Sequence, residues 1–136
     1  MKVAIVSNHG PSLVGFRGDL LREIVSLGHE VIAYAPPVGQ DLVDEIIDQG
    51  VTYRPYPLDR TSTNPFRDWK GYSALRERFE RDLPEIVLCY TAKPMIYGSL
   101  AASRAGAARI VSLVTGLGYG FTGGGVKQRL LCALQR

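Results

Sequence analysis

The sequence predicts an α/β domain built on a doubly wound parallel sheet, with helices covering both faces. Short and nearly continuous apolar runs recur through the 136 residues, as in strands that are buried on both faces. Segments with helical periodicity separate these runs, and the connections between them are short. Because no internal repeat interrupts the alternation, one Rossmann-like domain with right-handed crossovers is the expected architecture.

Three strands and two helices are predicted in the first half of the chain. Lys2 to Ser7 forms the first strand, and a helix follows it up to a stop at Gly28. The second strand, EVIAYA, ends before a Pro-Pro pair, and a second helix ends at Gly50. The third strand, VTYRPYPL, contains two prolines and should therefore lie at an edge of the sheet. The apolar positions of the two helices are Phe16, Leu20, Ile24 and Leu27, and then Leu42, Val43, Ile46 and Ile47.

Two strands and three helical segments are predicted in the second half. Asn64 and Pro65 match an N-cap followed by the first residue of a long helix. EIVLCY and RIVSLV are the fourth and fifth strands, separated by a helix that begins at Pro94. The final segment, GVKQRLLCALQR, is helical but reaches Arg136 without a C-terminal cap, so we expect residues 1–136 to be one domain of a longer protein. The buried stripe of the long helix is predicted to be Trp69, Tyr72, Leu75 and Phe79.

The composition is that of an ordinary globular domain, with 46% hydrophobic and 21% charged residues. No apolar run approaches the ~20 residues of a membrane-spanning helix, and the first residues lack the pattern of a signal peptide, so a cytoplasmic location is expected. Cys89 and Cys132 are expected to be buried thiols. Since His9 and His29 are the only histidines and no CxxC pair occurs, neither a metal site nor a cofactor is expected.

Charge is distributed unevenly along the chain. Residues 1–85 contain all thirteen acidic residues and ten Lys or Arg, whereas residues 86–136 contain six basic residues and no acid. An anionic partner is therefore expected for the C-terminal part, whether phosphate, nucleic acid or an acidic membrane surface. Solvated helix faces are the alternative, and they are the simpler interpretation of Arg104 and Arg136.

Ligands of open parallel sheets bind beyond the carboxyl ends of the strands, where the strand order reverses. The first loop at that edge, SNHGPSLVGFRG, lacks GxGxxG spacing, and no acidic residue ends the second strand, which disfavours NAD and S-adenosylmethionine. A glycine at the helix start would still let a phosphate approach backbone N–H groups, with Arg17 as a partner. The alternatives are a glycine needed only for a tight turn, and a His9 that is a plain loop residue rather than a base or hydrogen-bond donor.

The loops after the fourth and fifth strands carry further polar residues. Thr91 and Lys93 precede a helix N-terminus, where a lysine opposes the helix dipole, so Lys93 is a candidate anion contact with a surface lysine as the alternative. Thr115 and Tyr119 offer hydroxyls within the glycine-rich stretch VSLVTGLGYGFTGGG. Because no Ser-His-Asp set, carboxylate pair or metal cluster is evident, the residues alone predict a binding platform.

Four stretches resemble the N-terminal half of the family 4 retaining glycosyltransferases of the GT-B fold: GFRGDLLREIVSLGHEVIAYAP, GVTYRPYPLDRTSTNPFRD, DLPEIVLCYTAKPMIYGSLAA and RIVSLVTGLGYGFTG. TAKPMIYGSLAA and VTGLGYGFTG are the specific parts, and the likeness is greatest to the bacterial branch that builds surface polysaccharide and O-antigen units on lipid diphosphate. The resemblance implies a C-terminal domain, absent from this chain, that binds most of the nucleotide-sugar donor. The N-terminal domain would receive a polyprenyl-diphosphate-linked acceptor, and a hexosyl unit would be transferred with retention.

The resemblance also implies which residues contact substrate. The first-loop glycine region faces the donor phosphates, and the loops after the fourth and fifth strands line the cleft. Many relatives have a histidine where this chain has Thr115 and Gly116, so no catalytic side chain is assigned. Together with Arg17, the substrate-binding positions are Gly15, Phe16, Thr91, Lys93, Thr115, Gly116, Gly118 and Tyr119. Arg60, Arg67 and Lys70, near Phe66 and Trp69, are candidates to face an anionic membrane, and the equal alternative is a helix with Trp69 in the core and solvated arginines.

Two other functions remain open at this point. One is a sugar-nucleotide epimerase of the GT-B fold, which needs acid/base carboxylates and histidines that this half shows poorly. The other is a non-catalytic acceptor or membrane-docking subunit of a split glycosyltransferase. We expect the isolated chain to be inactive and nucleic acid not to be a partner. A peripheral position on the inner face of the cell membrane goes with the lipid-linked acceptor.

Overall fold

The computed structural model describes residues 1–114, which form a five-stranded sheet with four α-helices. A short 3-10 turn, Gly10–Leu13, follows the first strand, and a π-helical turn, Pro94–Gly98, precedes the last of the four helices. The strands are β1 Lys2–Val6, β2 Glu30–Ala35, β3 Thr52–Pro55, β4 Ile86–Tyr90 and β5 Arg109–Leu113. The helices are α1 Gly18–Ser26, α2 Gln40–Asp48, α3 Pro65–Asp82 and α4 Ser99–Arg104.

All neighbouring strands in the sheet are parallel, and their order is β3-β2-β1-β4-β5. Val3 of β1 faces Val31 on one side and Ile86 on the other, which fixes the register of the three central strands. The order confirms the predicted doubly wound parallel sheet, because the chain works outward from β1 first to one edge and then to the other. It also confirms the edge position of the proline-containing strand β3.

Alternate residues of the strands enter two separate cores, one on each face of the sheet. Ala4 and Val6 point to the face covered by α3 and α4, whereas Val3 and Ile5 point to the face covered by α1 and α2. The period of two explains why the strands appear in the sequence as continuous apolar runs. Fully burying one such side chain stabilises the fold by about 2 kcal/mol.

The buried face of α1 differs from the predicted one. Leu21 is completely buried, with Ile24 packed beside it, whereas Leu20 and Leu27 are exposed. Phe16 precedes the helix and is 86% exposed. The predicted spacing starts at Phe16, which lies before the helix, and within the helix Leu21 rather than Leu20 packs against the sheet.

Helix α3 begins as predicted, with Asn64 as its N-cap accepting a hydrogen bond of 3.0 Å from the backbone N–H of Phe66. Tyr72, Leu75 and Phe79 are buried, but Trp69 is 65% exposed, so its place in the predicted stripe is wrong. Asp68 faces inward instead, and its carboxylate is bound by a half-buried lysine described below.

The C-terminal end of α3 is bound to the sheet through Asp82, whose carboxylate is buried. The hydroxyl of Tyr34 donates to it at 2.6 Å, and Arg54 Nε lies 3.3 Å away. Burial, followed by the contact with Asp82, raises the pKa of Tyr34 above its usual range. This side of the sheet is therefore fixed by a polar network as well as by apolar packing.

Candidate functional site

A cleft opens where the strand order reverses, at the carboxyl ends of β1 and β4. Parallel sheets of this kind bind their ligands at that point, because the loops leaving the two central strands go to opposite faces. The cleft has a volume of about 390 Å³. It is lined by Asn8, His9, Ser12, Phe16, Arg17, Arg60, Tyr90 and Thr91.

A network of hydroxyl groups forms the floor of the cleft and fixes the loop after β1. Ser12 Oγ donates to the carbonyl of His9 at 2.6 Å and lies 2.7 Å from the hydroxyl of Tyr90. Since the single proton of Ser12 goes to the carbonyl, Tyr90 is the donor to Ser12. Ser7 Oγ accepts from the N–H of His9 at 3.0 Å, and Tyr56 donates to the carbonyl of Ser7 at 2.8 Å. The backbone around His9 is therefore fixed by Ser7, which follows β1, and by Ser12, which is bound to Tyr90 of β4.

Arg17 lies on the wall of the cleft, immediately before α1. Its guanidinium carbon is 5.0 Å from the centre of the Tyr90 ring, within the range of a cation–π contact. Its Nε is buried and has no hydrogen-bond partner among residues 1–114. A buried donor without an acceptor costs free energy, and this one belongs to a charged group beside an open cleft. The arrangement suits a bound anion.

Arg60 reaches the cleft from the long connection between β3 and α3. Its Nη1 lies 3.4 Å from Nδ1 of His9. The sequence predicts Arg60 in the membrane-facing set and leaves the role of His9 open, and neither belongs to the predicted substrate-binding set. No periodicity signals this contact, because it depends on a loop returning over the sheet across 51 positions of sequence.

Thr91 has a φ of 71°, in the left-handed region that a β-branched residue rarely adopts. Its hydroxyl donates to the carbonyl of Tyr90, and its own carbonyl accepts from the N–H of Met95 at 3.0 Å. The unusual conformation lies at the carboxyl end of β4, on the lining of the cleft. Strained backbone of this kind clusters at functional sites, which supports the substrate-binding position given to Thr91.

Lys93 is turned away from the cleft and is part of a buried contact. Its Nζ donates to the carbonyls of Asp59 and Ser62 and, at 2.8 Å, to the carboxylate of Asp68. An ammonium group has three donors, so all of them are used within the protein. The pKa of neighbouring Tyr97 is raised by burial and then by Asp68, to which its hydroxyl donates. An anion could bind Lys93 only by displacing these acceptors.

The other predicted positions are spread around the cleft and beyond it. Gly15 lies in the turn before α1, where its N–H donates to the carbonyl of Pro11 at 3.0 Å, and Phe16 lines the cleft. Arg67 pairs with Asp59, whose pKa is lowered first by the backbone N–H of Thr61 and then by Arg67. Lys70 is exposed. The remaining positions, Thr115, Gly116, Gly118 and Tyr119, lie outside the described residues.

Of the two cysteines, the described residues include Cys89 alone. Cys89 is buried as expected, and burial raises the pKa of its thiol to about 12. Cys132 lies outside the described residues. Within residues 1–114 no group of three metal-ligating His, Cys, Asp or Glu side chains occurs. None of the helices in that range is both long and apolar enough to cross a membrane.

The fold and the cleft define a Rossmann-like domain with a cleft at the carboxyl ends of its central strands, where domains of this kind bind their ligands. A model of the glycosyl transferase 4-like domain matches residues 16–136, and the chain belongs to that family. No curated protein sequence matches the chain.

Solved structures of three proteins share the fold at low identity. A UDP-N-acetylglucosamine 2-epimerase has a TM-score of 0.68 with 19% identity, over 98% of this chain and 40% of its own. MurG of Acinetobacter baumannii has a TM-score of 0.64 with 16% identity, over 98% and 38%. The glycosyltransferase VinC, in complex with DTDP, has a TM-score of 0.64 with 20% identity, over 98% and 38%. The chain spans less than half of each, and its fold is consistent with half of a GT-B fold.

Proposed function

We propose that this chain is the acceptor-side, N-terminal domain of a retaining hexosyltransferase that uses a nucleotide-sugar donor. The acceptor is a glycan on a lipid diphosphate, and the product belongs to surface polysaccharide. One observation carries the proposal: in a chain of the glycosyl transferase 4-like family, the cleft at the strand reversal is lined by two arginines and a histidine. No carboxylate lines that cleft within the described residues.

The cleft suits a reaction in which a diphosphate departs. Negative charge develops on the leaving group during glycosyl transfer, and fixed positive groups stabilise it where water is excluded. Arg17, immediately before α1, is such a group on this side of the cleft. The structure of VinC with DTDP supports a nucleotide donor by analogy. The greater part of the donor site is assigned to a C-terminal domain.

The epimerase remains a second candidate because one fold neighbour is a UDP-N-acetylglucosamine 2-epimerase. Proton removal and return at a sugar carbon need general acid and base groups. His9 is the side chain of the described cleft that best suits such a role. With no carboxylate beside it in the described lining, the transferase is favoured over the epimerase. A non-catalytic subunit of a split transferase would have the same cleft, so the cleft does not separate that function from the transferase.

The proposal is tested with the product of the entire reading frame and with the 136-residue chain, assayed side by side. Each is supplied with nucleotide-sugars and polyprenyl-diphosphate-linked glycan, and the anomeric configuration of the product is determined by NMR. We expect retention of configuration in the product of the longer protein and no turnover by the 136-residue chain. Transfer by the 136-residue chain alone would contradict the two-domain assignment. Conversion of the free nucleotide-sugar without any acceptor would favour the epimerase.

A further inference from the structure

We propose that Arg17 and Arg60, with His9 beside them, form a subsite for one diphosphate group. The inference rests on the proposed function and adds Arg60 and His9 to the residues that bind the diphosphate. None of the comparisons assigns these three side chains a role. Both arginines line one cleft, and each reaches it from a different segment of the chain.

Neither arginine has a carboxylate partner in the described part of the chain, a property they share there with Arg78, Arg104 and Arg109. Five other arginines there are in ion pairs with Asp or Glu, on α1, β3 and α3. Arg17 and Arg60 instead share a cleft whose described lining contains no acidic residue. Positive charge collected in a concave surface attracts an anion more strongly than the same charge on an open face.

Arg17 is oriented before any ligand arrives. The ring of Tyr90 lies under its guanidinium at 5.0 Å, and the Tyr90 hydroxyl is itself fixed by Ser12. The side chain lines the cleft, and no carboxylate in the described lining competes for its N–H groups. A guanidinium binds phosphate oxygens through two parallel N–H groups, so an oriented arginine loses little freedom on binding.

Arg60 supplies the second cationic group from a different segment. It approaches from the β3–α3 connection, and its Nη1 lies 3.4 Å from His9 Nδ1. The backbone of His9 is in turn held by Ser7 and Ser12. Two guanidinium groups from separate segments can each bind one phosphate of a diphosphate through two parallel N–H groups. The cleft, at about 390 Å³, also has room for the group attached to that diphosphate.

The diphosphate has two possible sources in the proposed reaction, the nucleotide of the donor and the polyprenyl diphosphate of the acceptor. Both present the same charged oxygens to the arginines. What differs is the attached group, a nucleoside in one case and an isoprenoid in the other. Binding of UDP and of geranyl diphosphate by the same chain therefore separates the two sources.

The test is isothermal titration of the 136-residue chain with pyrophosphate, orthophosphate, UDP and geranyl diphosphate. We expect pyrophosphate to bind more tightly than orthophosphate, and Arg17→Gln and Arg60→Gln each to weaken it by about ten-fold or more, as for a lost charged hydrogen bond. Arg17→Lys keeps the charge but not the two-point geometry, and is expected to weaken binding as well. Arg22→Gln, on the exposed side of α1, is the matched control and should leave binding unchanged.

Circular dichroism and thermal melting of each variant separate a lost contact from a lost fold. The proposal is overturned if the unaltered chain does not bind pyrophosphate, or if Arg22→Gln weakens binding as much as Arg17→Gln. Tighter binding of UDP than of pyrophosphate assigns the subsite to the donor, and tighter binding of geranyl diphosphate assigns it to the acceptor.

The subsite and the proposed function fail in different ways. Pyrophosphate binding that depends on both arginines, in a full-length protein that transfers no sugar, would keep the subsite and overturn the function. Sugar transfer by a full-length protein whose Arg17→Gln and Arg60→Gln variants keep KM for both substrates would keep the function and overturn the subsite.

Discussion

At the scale of single residues, Lys93 shows how one buried charge can organise a loop. Its side chain is only 18% exposed, and it connects the carboxylate of Asp68 on α3 to two carbonyls of the preceding connection. The same connection carries Arg60 into the cleft. Lys93 thus acts on the cleft by holding the loop that supplies one of its walls.

Replacing Lys93 by methionine should lower the free energy of unfolding by about 3 kcal/mol, because Asp68 is left buried without its partner. Urea unfolding followed by circular dichroism measures the loss. Lys70→Met, on the exposed face of the same helix as Asp68, serves as the control and should change stability by less than about 0.5 kcal/mol. A Lys93→Met chain of unchanged stability that no longer binds pyrophosphate would instead favour the direct anion contact expected from the sequence.

Thr91 and Leu83 are the two described residues other than glycine with positive φ, at 71° and 53°. Leu83 is the exposed C-cap of α3, where the left-handed conformation ends the helix. Glycine relieves the steric cost at either position, so Leu83→Gly and Thr91→Gly should each raise stability by about 1 kcal/mol.

The two glycine variants should differ in ligand binding, because only Thr91 lines the cleft. We expect Thr91→Gly to weaken pyrophosphate binding through a looser backbone, and Leu83→Gly to leave it unchanged. Thermal melting and titration calorimetry measure both quantities on the same samples. A destabilised Thr91→Gly chain would show that the conformation carries no strain.

At the scale of elements, Gly71 allows the connection before α3 to pass close to that helix. A Cβ added to Gly71 would lie 2.7 Å from the carbonyl oxygen of Pro57, a backbone atom that cannot move cheaply. Alanine favours a helix over glycine by about 1 kcal/mol, but the overlap should outweigh this gain.

We therefore expect Gly71→Ala to destabilise the chain by about 1–2 kcal/mol, as overpacked positions do. Equilibrium denaturation tests this directly. At Gly39, the N-cap of α2, an added Cβ meets nothing within 4 Å. Gly39→Ala should cost less than about 1 kcal/mol. A stabilised Gly71→Ala chain would mean that the connection is not held against α3.

At the scale of the whole molecule, the start of α3 presents aromatic and basic side chains outward. Phe66 is 82% exposed and Trp69 is 65% exposed, with Lys70 beside them. Aromatic rings next to lysine are typical of surfaces that lie in the headgroup region of a bilayer. Arg67 of the predicted membrane set is paired with Asp59, which leaves Lys70 as the basic group of this surface best suited to lipid.

Trp69 is the single tryptophan of the chain, so its fluorescence reports docking directly. We expect a blue shift with vesicles containing anionic lipid, reduced by Phe66→Ser or Lys70→Glu and by raised salt. Arg22→Glu, on α1, is the charge control. Lys2 is unsuitable for this purpose because its ammonium group donates to the carbonyl of Asp82 and so helps to hold the fold. An identical shift with neutral vesicles, or none with either, would contradict membrane docking by this surface.

The fold could be predicted from the sequence because its signals are local. Each strand buried on both faces is a continuous apolar run, and the Asn64 cap marks the start of α3. The predicted face of α1 is wrong at Leu20 and Leu27, because the spacing is counted from Phe16, which lies outside the helix, and no side-chain cap marks the start at Gly18. The location of the cleft followed from the expected strand order alone.

The lining of the cleft was only partly predictable, because its chemistry depends on distant contacts. Arg17, Phe16 and Thr91 follow strands or precede a helix, and position along the chain was enough to find them. Arg60 enters through a connection whose path is set by Lys93, and no pattern in either segment shows that the two meet.

The contacts of Lys93 also limit how the domain can be recombined. A chimera that exchanged the connection between Pro55 and Asn64 would bring in a new loop but keep Lys93, whose ammonium group donates to two carbonyls of the original loop. The loop, Asp68 and Lys93 would have to be exchanged together for a new specificity to fold correctly. These three parts depend on one another structurally, although 25 residues of sequence separate the aspartate from the lysine.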